Sequence, residues 1–274
     1  MNKQDFSRDL KMYFDPHLVN KFTKLEENEK YDKIAQIIDR AIYVETKDIS
    51  DPLLVAELGG GSHPDKYDLL FKRLLQHPQG HIDWVDLSKY MLEEARKYLL
   101  NEKFIQRKKV ISFIQNDILK YLQNLEESSL NLVIMKYTFD HIQDIESLFM
   151  LLSKKLKKGG KLIANSTTLN SYLNSSTTNA RILINGQEFP LNEKKKMKDG
   201  DSFTVKFYKK SGNPKHGYLD GAETTKYFHS ITKIKELATE NSFSVFVGDW
   251  KNVDRIFVQG LEDMNVDLLV LTKK

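Results

Sequence analysis

The stretch Val55-Ala56-Glu57-Leu58-Gly59-Gly60-Gly61-Ser62-His63 decides how this chain is read. An apolar run ends in an acid, three glycines follow, and helix-compatible sequence comes next. Glycine at a strand-to-helix turn lets the backbone take positive φ and come close to a ligand. The same turn aims the first N–H groups of the helix into the space beyond the strand. Ordinary loops also collect glycine, so the meaning of the turn depends on its surroundings.

From Pro52 onward, short apolar strands alternate with amphipathic helices. Strand one, 53–58, is followed by a helix carrying Tyr67, Leu69, Leu70, Phe71, Leu74 and Leu75. Strand two, 81–85, ends at Asp86, and a helix runs from about Lys89 to Leu100. Strand three, 110–115, ends at Asn116-Asp117 ahead of a short helix at 118–125. Strand four, 130–135, is followed by a helix at 145–156, and Gly159-Gly160 marks the turn into strand five, 161–164. Such alternation implies right-handed crossovers and a mostly parallel sheet covered on both faces.

Two regions depart from that rhythm. Residues 1–46 read as helical, with Leu18, Val19, Phe22 and Leu25, then Ile34, Ile37, Ile38, Ala41 and Ile42, at three- and four-residue spacings. Asp15-Pro16 opens a helix there, proline being tolerated in a first turn. The simpler reading is a packing arm or lid, although Tyr13 and Tyr31 are candidates to face a ligand. Residues 166–226 read as an insertion with strand-like segments at 180–184, 202–209 and 226–229. A helix at 232–240 and strands at 243–247 and 266–272 then complete the sheet. No helix is evident between those last strands, so they are expected to pair as an antiparallel hairpin. The expected fold is α/β, a Rossmann-like seven-stranded, mostly parallel sheet with N-terminal helices and a β-rich insertion. It forms one domain over 1–274, divided into an N-terminal lid (1–50), a cofactor-binding core (51–165), an acceptor-side insertion (166–226) and the sheet's completion (227–274).

With 40% hydrophobic and 29% charged residues, the composition is that of a folded globular protein. No apolar run approaches the roughly eighteen residues a membrane helix needs, and the N-terminus lacks a signal-peptide core. There are no cysteines, which excludes disulfides and thiolate chemistry, and a cytoplasmic setting is the default expectation. The net charge of +4 is mild. Lys194, Lys195, Lys196, Lys198, Lys206, Lys209, Lys210 and Lys215 form a local series. A solvated face is its plain reading and a phosphate-binding patch its alternative. No His, Asp and Glu spacing suggests a metal, and no Ser-His-Asp elbow is present.

In an open α/β sheet, ligands bind beyond the carboxyl ends of the strands. Strand one offers Glu57 and the glycines, and strand two offers Asp86, an acid placed to accept from both hydroxyls of a ribose. Strand three offers Asn116 and Asp117, suited to an adenine amino group, and strand four offers Lys136-Tyr137-Thr138, then Asp140 and His141. Each acid alone is more often a helix cap. Two of them on consecutive strands beside a glycine turn are harder to explain that way.

These residues resemble class I S-adenosylmethionine-dependent methyltransferases over roughly 52–165 and again in the C-terminal strands. The resemblance is carried by Glu57-Leu58-Gly59-Gly60-Gly61, by Asp86-Leu87-Ser88-Lys89-Tyr90-Met91-Leu92, by Asn116-Asp117-Ile118 and by Leu156-Lys157-Lys158-Gly159-Gly160-Lys161-Leu162, in the family's order. The terminal hairpin resembles the family's antiparallel seventh strand, which NAD-binding Rossmann domains lack. His63 stands where the family has a third glycine, and Asn131 where it commonly has an aspartate. The resemblance implies S-adenosylmethionine as cofactor. It places Glu57 near the amino end, and Gly59 and Gly61 where the backbone passes close. Asp86 falls on the ribose, Leu87 and Met91 on the adenine face, Asn116, Asp117 and Ile118 at the adenine edge, and Lys136 and Tyr137 near the methionine portion.

Methyl transfer from a sulfonium needs alignment above all, and a general base only where the acceptor must lose a proton. His141 and His229 are the candidates, each with a structural role as its plain alternative. The acceptor is expected to be a small molecule, methylated on N or O, with no membrane and no metal involved. An RNA acceptor such as a cap-like guanine, a non-catalytic relic of the fold and a nicotinamide dehydrogenase are the alternatives. Phe189, Phe203, Phe207, Tyr208, Tyr218, Tyr227 and Phe228 of the insertion line an acceptor pocket or form the insertion's own core, the latter being the simpler reading.

Overall fold

The computed structural model describes residues 11–26, 29–49, 52–167, 180–184, 187–188, 198–209, 214–249 and 266–274. Two helices, α1 (Pro16–Glu26) and α2 (Glu29–Thr46), precede the sheet, after a short 3-10 turn at Lys11–Phe14. Then come β1 (Leu54–Leu58), α3 (Asp68–Gln76), β2 (His81–Asp86), α4 (Lys89–Tyr98), β3 (Ile111–Gln115), α5 (Ile118–Asn124), β4 (Leu130–Met135), α6 (Ile145–Lys155) and β5 (Leu156–Thr167). The insertion holds β6 (Ala180–Ile184), β7 (Gln187–Glu188), β8 (Ser202–Tyr208) and β9 (Tyr218–Tyr227), and α7 (Ile231–Glu240), β10 (Phe243–Asp249) and β11 (Val266–Lys273) complete the fold.

The main sheet has seven strands in the order β10-β11-β5-β4-β1-β2-β3. The five strands from β3 to β5 are parallel, while β11 runs antiparallel to β5 and to β10. Alternation along each strand divides the core between two faces. Ala56, Leu58, Val85, Val133, Met135 and Leu162 pack on one side with Leu148, Phe149 and Leu152 of α6 and Leu237 of α7. Val55, Ile82, Trp84, Leu132, Ile134 and Ile163 pack on the other with Ile38 and Ile42 of α2 and Leu70, Phe71 and Leu74 of α3. Truncating one of these fully buried leucines to alanine costs about 2–5 kcal/mol.

Polar residues start the helices where the sequence supplies them. Ser88 accepts from the Met91 amide at 3.2 Å, Asp117 from Lys120 at 3.0 Å and Asp144 from Ser147 at 2.9 Å. Asp15 accepts from the His17 and Leu18 amides, as expected for the residue that opens α1. The start of α3 is capped from outside: both carboxylate oxygens of Asp39, on α2, accept from the Leu69 and Leu70 amides. Burial pushes that carboxyl up to about 6, against the pull of those two amides.

Three details differ from the sequence expectation. Strand five begins at Leu156 instead of Lys161, because Gly159, at φ +76°, carries an irregularity in the β4–β5 pairing between Leu130 and Leu132 without ending the strand. The strand expected at 226–229 is β9, running from Tyr218 to Tyr227, so His229 lies past the strand and next to the Ser230 cap of α7. The N-terminal helical region is divided into the Lys11–Phe14 turn, α1 and α2. Phe189 and the Tyr31 side chain lie outside the described residues, as do Lys194, Lys195, Lys196 and Lys210 and most of the loop expected at 249–265.

The insertion forms its own antiparallel sheet, β7-β6-β8-β9. Phe203 and Val205 are buried in it with Ala222, which supports the packing role for Phe203. Asn131, the departure in β4, accepts from the Leu54 amide at 2.9 Å and from Lys157 Nζ at 3.2 Å, so it ties strand starts at the end of the sheet away from the glycines.

Candidate functional site

Beyond the carboxyl ends of the parallel strands, short polar contacts join one strand end to the next. Gly59 N and Gly60 N both donate to the Val85 carbonyl, at 2.8 and 3.0 Å, closing the glycine turn onto β2. Gly61 N donates to Asp86 Oδ2 at 2.9 Å, and the Gly61 carbonyl accepts from Trp84 Nε1 at 2.9 Å. Asn116 N donates to the Asp86 carbonyl at 3.1 Å, joining β2 to β3. Thr138 Oγ1 donates to the Gly59 carbonyl at 3.3 Å, joining β4 to β1. Tyr137 N donates to Asn165 Oδ1 at 2.8 Å, joining β4 to β5.

The three glycines have different reasons to be glycine. A Cβ on Gly59 would sit 2.3 Å from Thr138 Oγ1, and one on Gly60 would sit 2.4 Å from the Trp84 ring. Those two are fixed by the protein's own packing. Gly61, at φ +61°, has open space where a Cβ would be. It is the position where a backbone can face a ligand.

Glu57 is wholly buried. Tyr67 OH donates to its Oε1 at 3.2 Å, while Oε2 makes no hydrogen bond. Burial pushes the carboxyl up to about 7, opposed by the nearby Lys136 charge, the Tyr67 hydroxyl and the Lys136 backbone amide. Lys136 Nζ itself lies 5.1 Å from the centre of the Tyr67 ring, a cation–π placement. Tyr137 holds φ +58°, unusual for a residue other than glycine.

On the other side of the turn, Asp86 uses Oδ1 to accept from the Ser88 amide at 2.8 Å and Oδ2 for Gly61, so this acid orders both loops. Leu87 is half-buried, and Met91 is 3% exposed yet belongs to neither core cluster. Asp117 is the cap of α5, as its plain reading has it, and it stands with Asn116 and Ile118 half-buried at the end of β3.

His63 does not face this space. Its ring packs on Tyr98 of α4 at 4.8 Å, with Nδ1 3.2 Å from Asp65 and Nε2 3.4 Å from the Thr23 carbonyl of α1. Thr23 Oγ1 also donates to Ser62 Oγ at 3.1 Å. The residue replacing the family's third glycine therefore anchors the N-terminal helix to the turn. Tyr13 sits nearer the mouth: its carbonyl accepts from Ser88 Oγ, and its ring stands edge-on to His141 at 6.2 Å.

His141, in the 3-10 turn after β4, has Nδ1 3.2 Å from the Thr225 carbonyl of β9. A carbonyl only accepts, so that contact places the proton on Nδ1. Burial, reinforced by the charge of Lys226, drives this imidazole down to about 3, so it is neutral at working pH and weakly basic. Lys226 pairs with Asp140 at 3.6 Å, both side chains nearly inaccessible, which pins β9 to the same turn. His229 donates from Nε2 to the Ile142 carbonyl at 2.8 Å and lies edge-on to Phe139. Both candidate histidines thus hold the β4 turn.

The strand-end rule that singles out the ends of strands one to four extends to strand five. Asn165, at the end of β5, satisfies the same rule, whereas Tyr67 stands just before α3, after the glycine turn, and reaches Glu57 only through the fold.

A family model described as methyltransferase domain matches residues 58–260, well over half the chain. The chain belongs to the methyltransferase-domain family. Among solved structures, this methyltransferase is similar to an S-adenosylmethionine-dependent methyltransferase from Clostridium acetobutylicum, with TM-score 0.59 and 15% identity over 93% of this chain and 98% of that one. A putative S-adenosylmethionine-dependent methyltransferase from Listeria monocytogenes gives 0.56 and 15% over 85% and 96%. The CcbJ methyltransferase of Streptomyces caelestis gives 0.57 and 12% over 87% and 90%. At such identities the likeness is one of fold. No curated protein sequence matches the chain. Among the described residues, no three His, Cys, Asp or Glu side chains gather as a metal-binding group, and no helix is long and apolar enough to cross a membrane.

Proposed function

We propose that this methyltransferase uses S-adenosylmethionine to methylate a nitrogen or oxygen of a small-molecule acceptor. The observation that carries the cofactor reading is the buried Glu57 carboxyl, whose Oε2 has no partner. A buried polar atom without a hydrogen bond is costly, and a ligand ammonium would satisfy it. The open side of Gly61 and the Asp86 carboxylate beside it fit the ribose end of the same ligand. Asn116, Asp117 and Ile118 stand at the adenine edge, Leu87 and Met91 at its face, and Lys136 and Tyr137 beyond Glu57. When bound, the cofactor supplies a methyl group on a sulfonium, transferred by in-line displacement. The chain's residues hold the two partners aligned and keep water away.

The acceptor reading rests on what roofs the mouth. The Lys11–Phe14 turn, the β4 turn and β9 meet through Tyr13, His141, Thr225 and Lys226, and a cover built from the chain's own side chains favours a small acceptor. His141 is too weakly basic to remove a proton from an alcohol, and its role here is to orient the turn. Of the lysines that prompted an RNA acceptor, Lys206 lies 3.8 Å from Glu223 and against Tyr218. Calorimetric titration with S-adenosylhomocysteine tests the cofactor reading, and absence of binding refutes it. RNA binding that weakens steeply with salt would replace the small acceptor by a polynucleotide.

A further inference from the structure

Two buried polar atoms of opposite kind stand at the carboxyl end of the sheet without intramolecular partners: Glu57 Oε2, an acceptor, and Asn165 Nδ2, a donor. Both side chains belong to the same face. Glu57 pairs across to Ile134 and Ile134 to Ile163, which puts Glu57 and Ile163 in one row. Asn165 lies two residues further along β5 and so projects to the side that Glu57 occupies. The two α-carbons stand two strands and two residues apart, roughly 12 Å from strand spacing and rise.

Asn165 is also a divided amide. Its Oδ1 is committed to the Tyr137 N–H at 2.8 Å, which holds Tyr137 in its left-handed conformation. That commitment fixes the amide orientation and leaves Nδ2, in a residue 2% exposed, without a hydrogen-bond partner. A donor and a carboxylate oxygen, both buried and both without a partner in the protein, complement a zwitterion. Such a seat takes an ammonium on the Glu57 side and a carboxylate on the Asn165 side.

We propose that Asn165 is a ligand-binding residue, its Nδ2 donating to the carboxylate of a bound α-amino acid group while Glu57 takes the ammonium. This rests on the cofactor reading above, in which that group is the amino-acid end of S-adenosylmethionine. Asn165 thereby couples cofactor binding to the shape of the β4 turn, since the same amide holds Tyr137. A hydrogen bond to a charged group is worth about 1.5–3 kcal/mol, which is roughly a ten- to hundredfold change in affinity.

The test is calorimetric titration of the full chain and its variants with two probes, S-adenosylhomocysteine and 5′-methylthioadenosine, which keeps adenine, ribose and sulfur but lacks the amino-acid end. In Asn165→Asp, an oxygen still accepts from Tyr137 while a second carboxylate faces the ligand's own. S-adenosylhomocysteine should bind ten- to hundredfold more weakly to it, and 5′-methylthioadenosine within twofold of wild type. Asn165→Ala, which buries no new charge, should show the same selectivity with a smaller loss and serves if the Asp variant does not fold. Equal weakening of both probes would mark Asn165 as merely structural, and no weakening of either would mean a water satisfies Nδ2; each result overturns the proposal. Failure of wild-type protein to bind either probe would instead bring down the cofactor reading itself.

Discussion

Replacing Glu57 by glutamine tests the site and the fold together. The carboxyl has its folded-state value raised from 4.5 to about 7, chiefly by burial. Between those values the native protein keeps a proton that the unfolded chain has lost, so stability falls as pH rises through the window and levels off above it. Each unit is worth 1.36 kcal/mol, and integrating from pH 5 to pH 8 gives a loss of about 2.5 kcal/mol from this one group. Glutamine keeps an oxygen for the Tyr67 hydroxyl and cannot ionise. Urea unfolding at both pH values should therefore show wild type losing about 2.5 kcal/mol more than Glu57→Gln on going from pH 5 to pH 8. Asp39, raised to about 6, contributes equally to both proteins and cancels. A ligand stabilises the fold by about 2.7 kcal/mol at a hundred times its Kd. S-adenosylhomocysteine at a fixed concentration should give wild type most of that gain and the variant little. An unchanged pH slope would show that Glu57 titrates normally, and undiminished ligand stabilisation would remove it from the binding site.

The glycine turn should separate folding from binding. Gly60→Ala drives a methyl group into the Trp84 ring and should cost about 1–3 kcal/mol in thermal or urea unfolding, whereas Gly61→Ala meets no atom and loses only about 1–2 kcal/mol for its left-handed backbone. A larger loss of stability in Gly61→Ala than in Gly60→Ala would contradict the division of roles. Nitrogen NMR of labelled imidazoles should find His141 neutral, with its proton on Nδ1, from pH 8 down to pH 5, because burial and Lys226 hold it down to about 3. Titration in the ordinary histidine range would refute that arrangement.

The parallel core was legible because β1 and β4 are largely buried and are written as short, mostly apolar runs. β2 and β4 fall within a residue of expectation, and the antiparallel pairing of β10 and β11 agrees with the lack of a helical pattern in the sequence between them. β9 was hidden for a physical reason. Its inward positions include Ala222, Thr224 and Lys226, and a lysine at 5% exposure gives no apolar alternation to read. Its burial is compensated by Asp140, more than eighty residues earlier, a partner no local pattern reveals. The strand-end acids were legible by position alone. Which atoms of Glu57 and Asn165 lack partners depends on Tyr67 and Tyr137, brought in by the fold.

The place of β11 bears on how the molecule is made. It lies between β5 and β10, so Val266 pairs with Thr167 about a hundred residues back in sequence. On a ribosome, the parallel strands β1 to β5 emerge complete while one long border of β5 still lacks its neighbour. Until residues beyond 266 arrive, Leu162 and Ala164 and the backbone beside them form an open edge, the kind of surface that recruits a second chain. Long-range pairing of this sort is slow to form. A synthesis pause before residue 266 would therefore prolong the aggregation-exposed interval, whereas a pause after it would not.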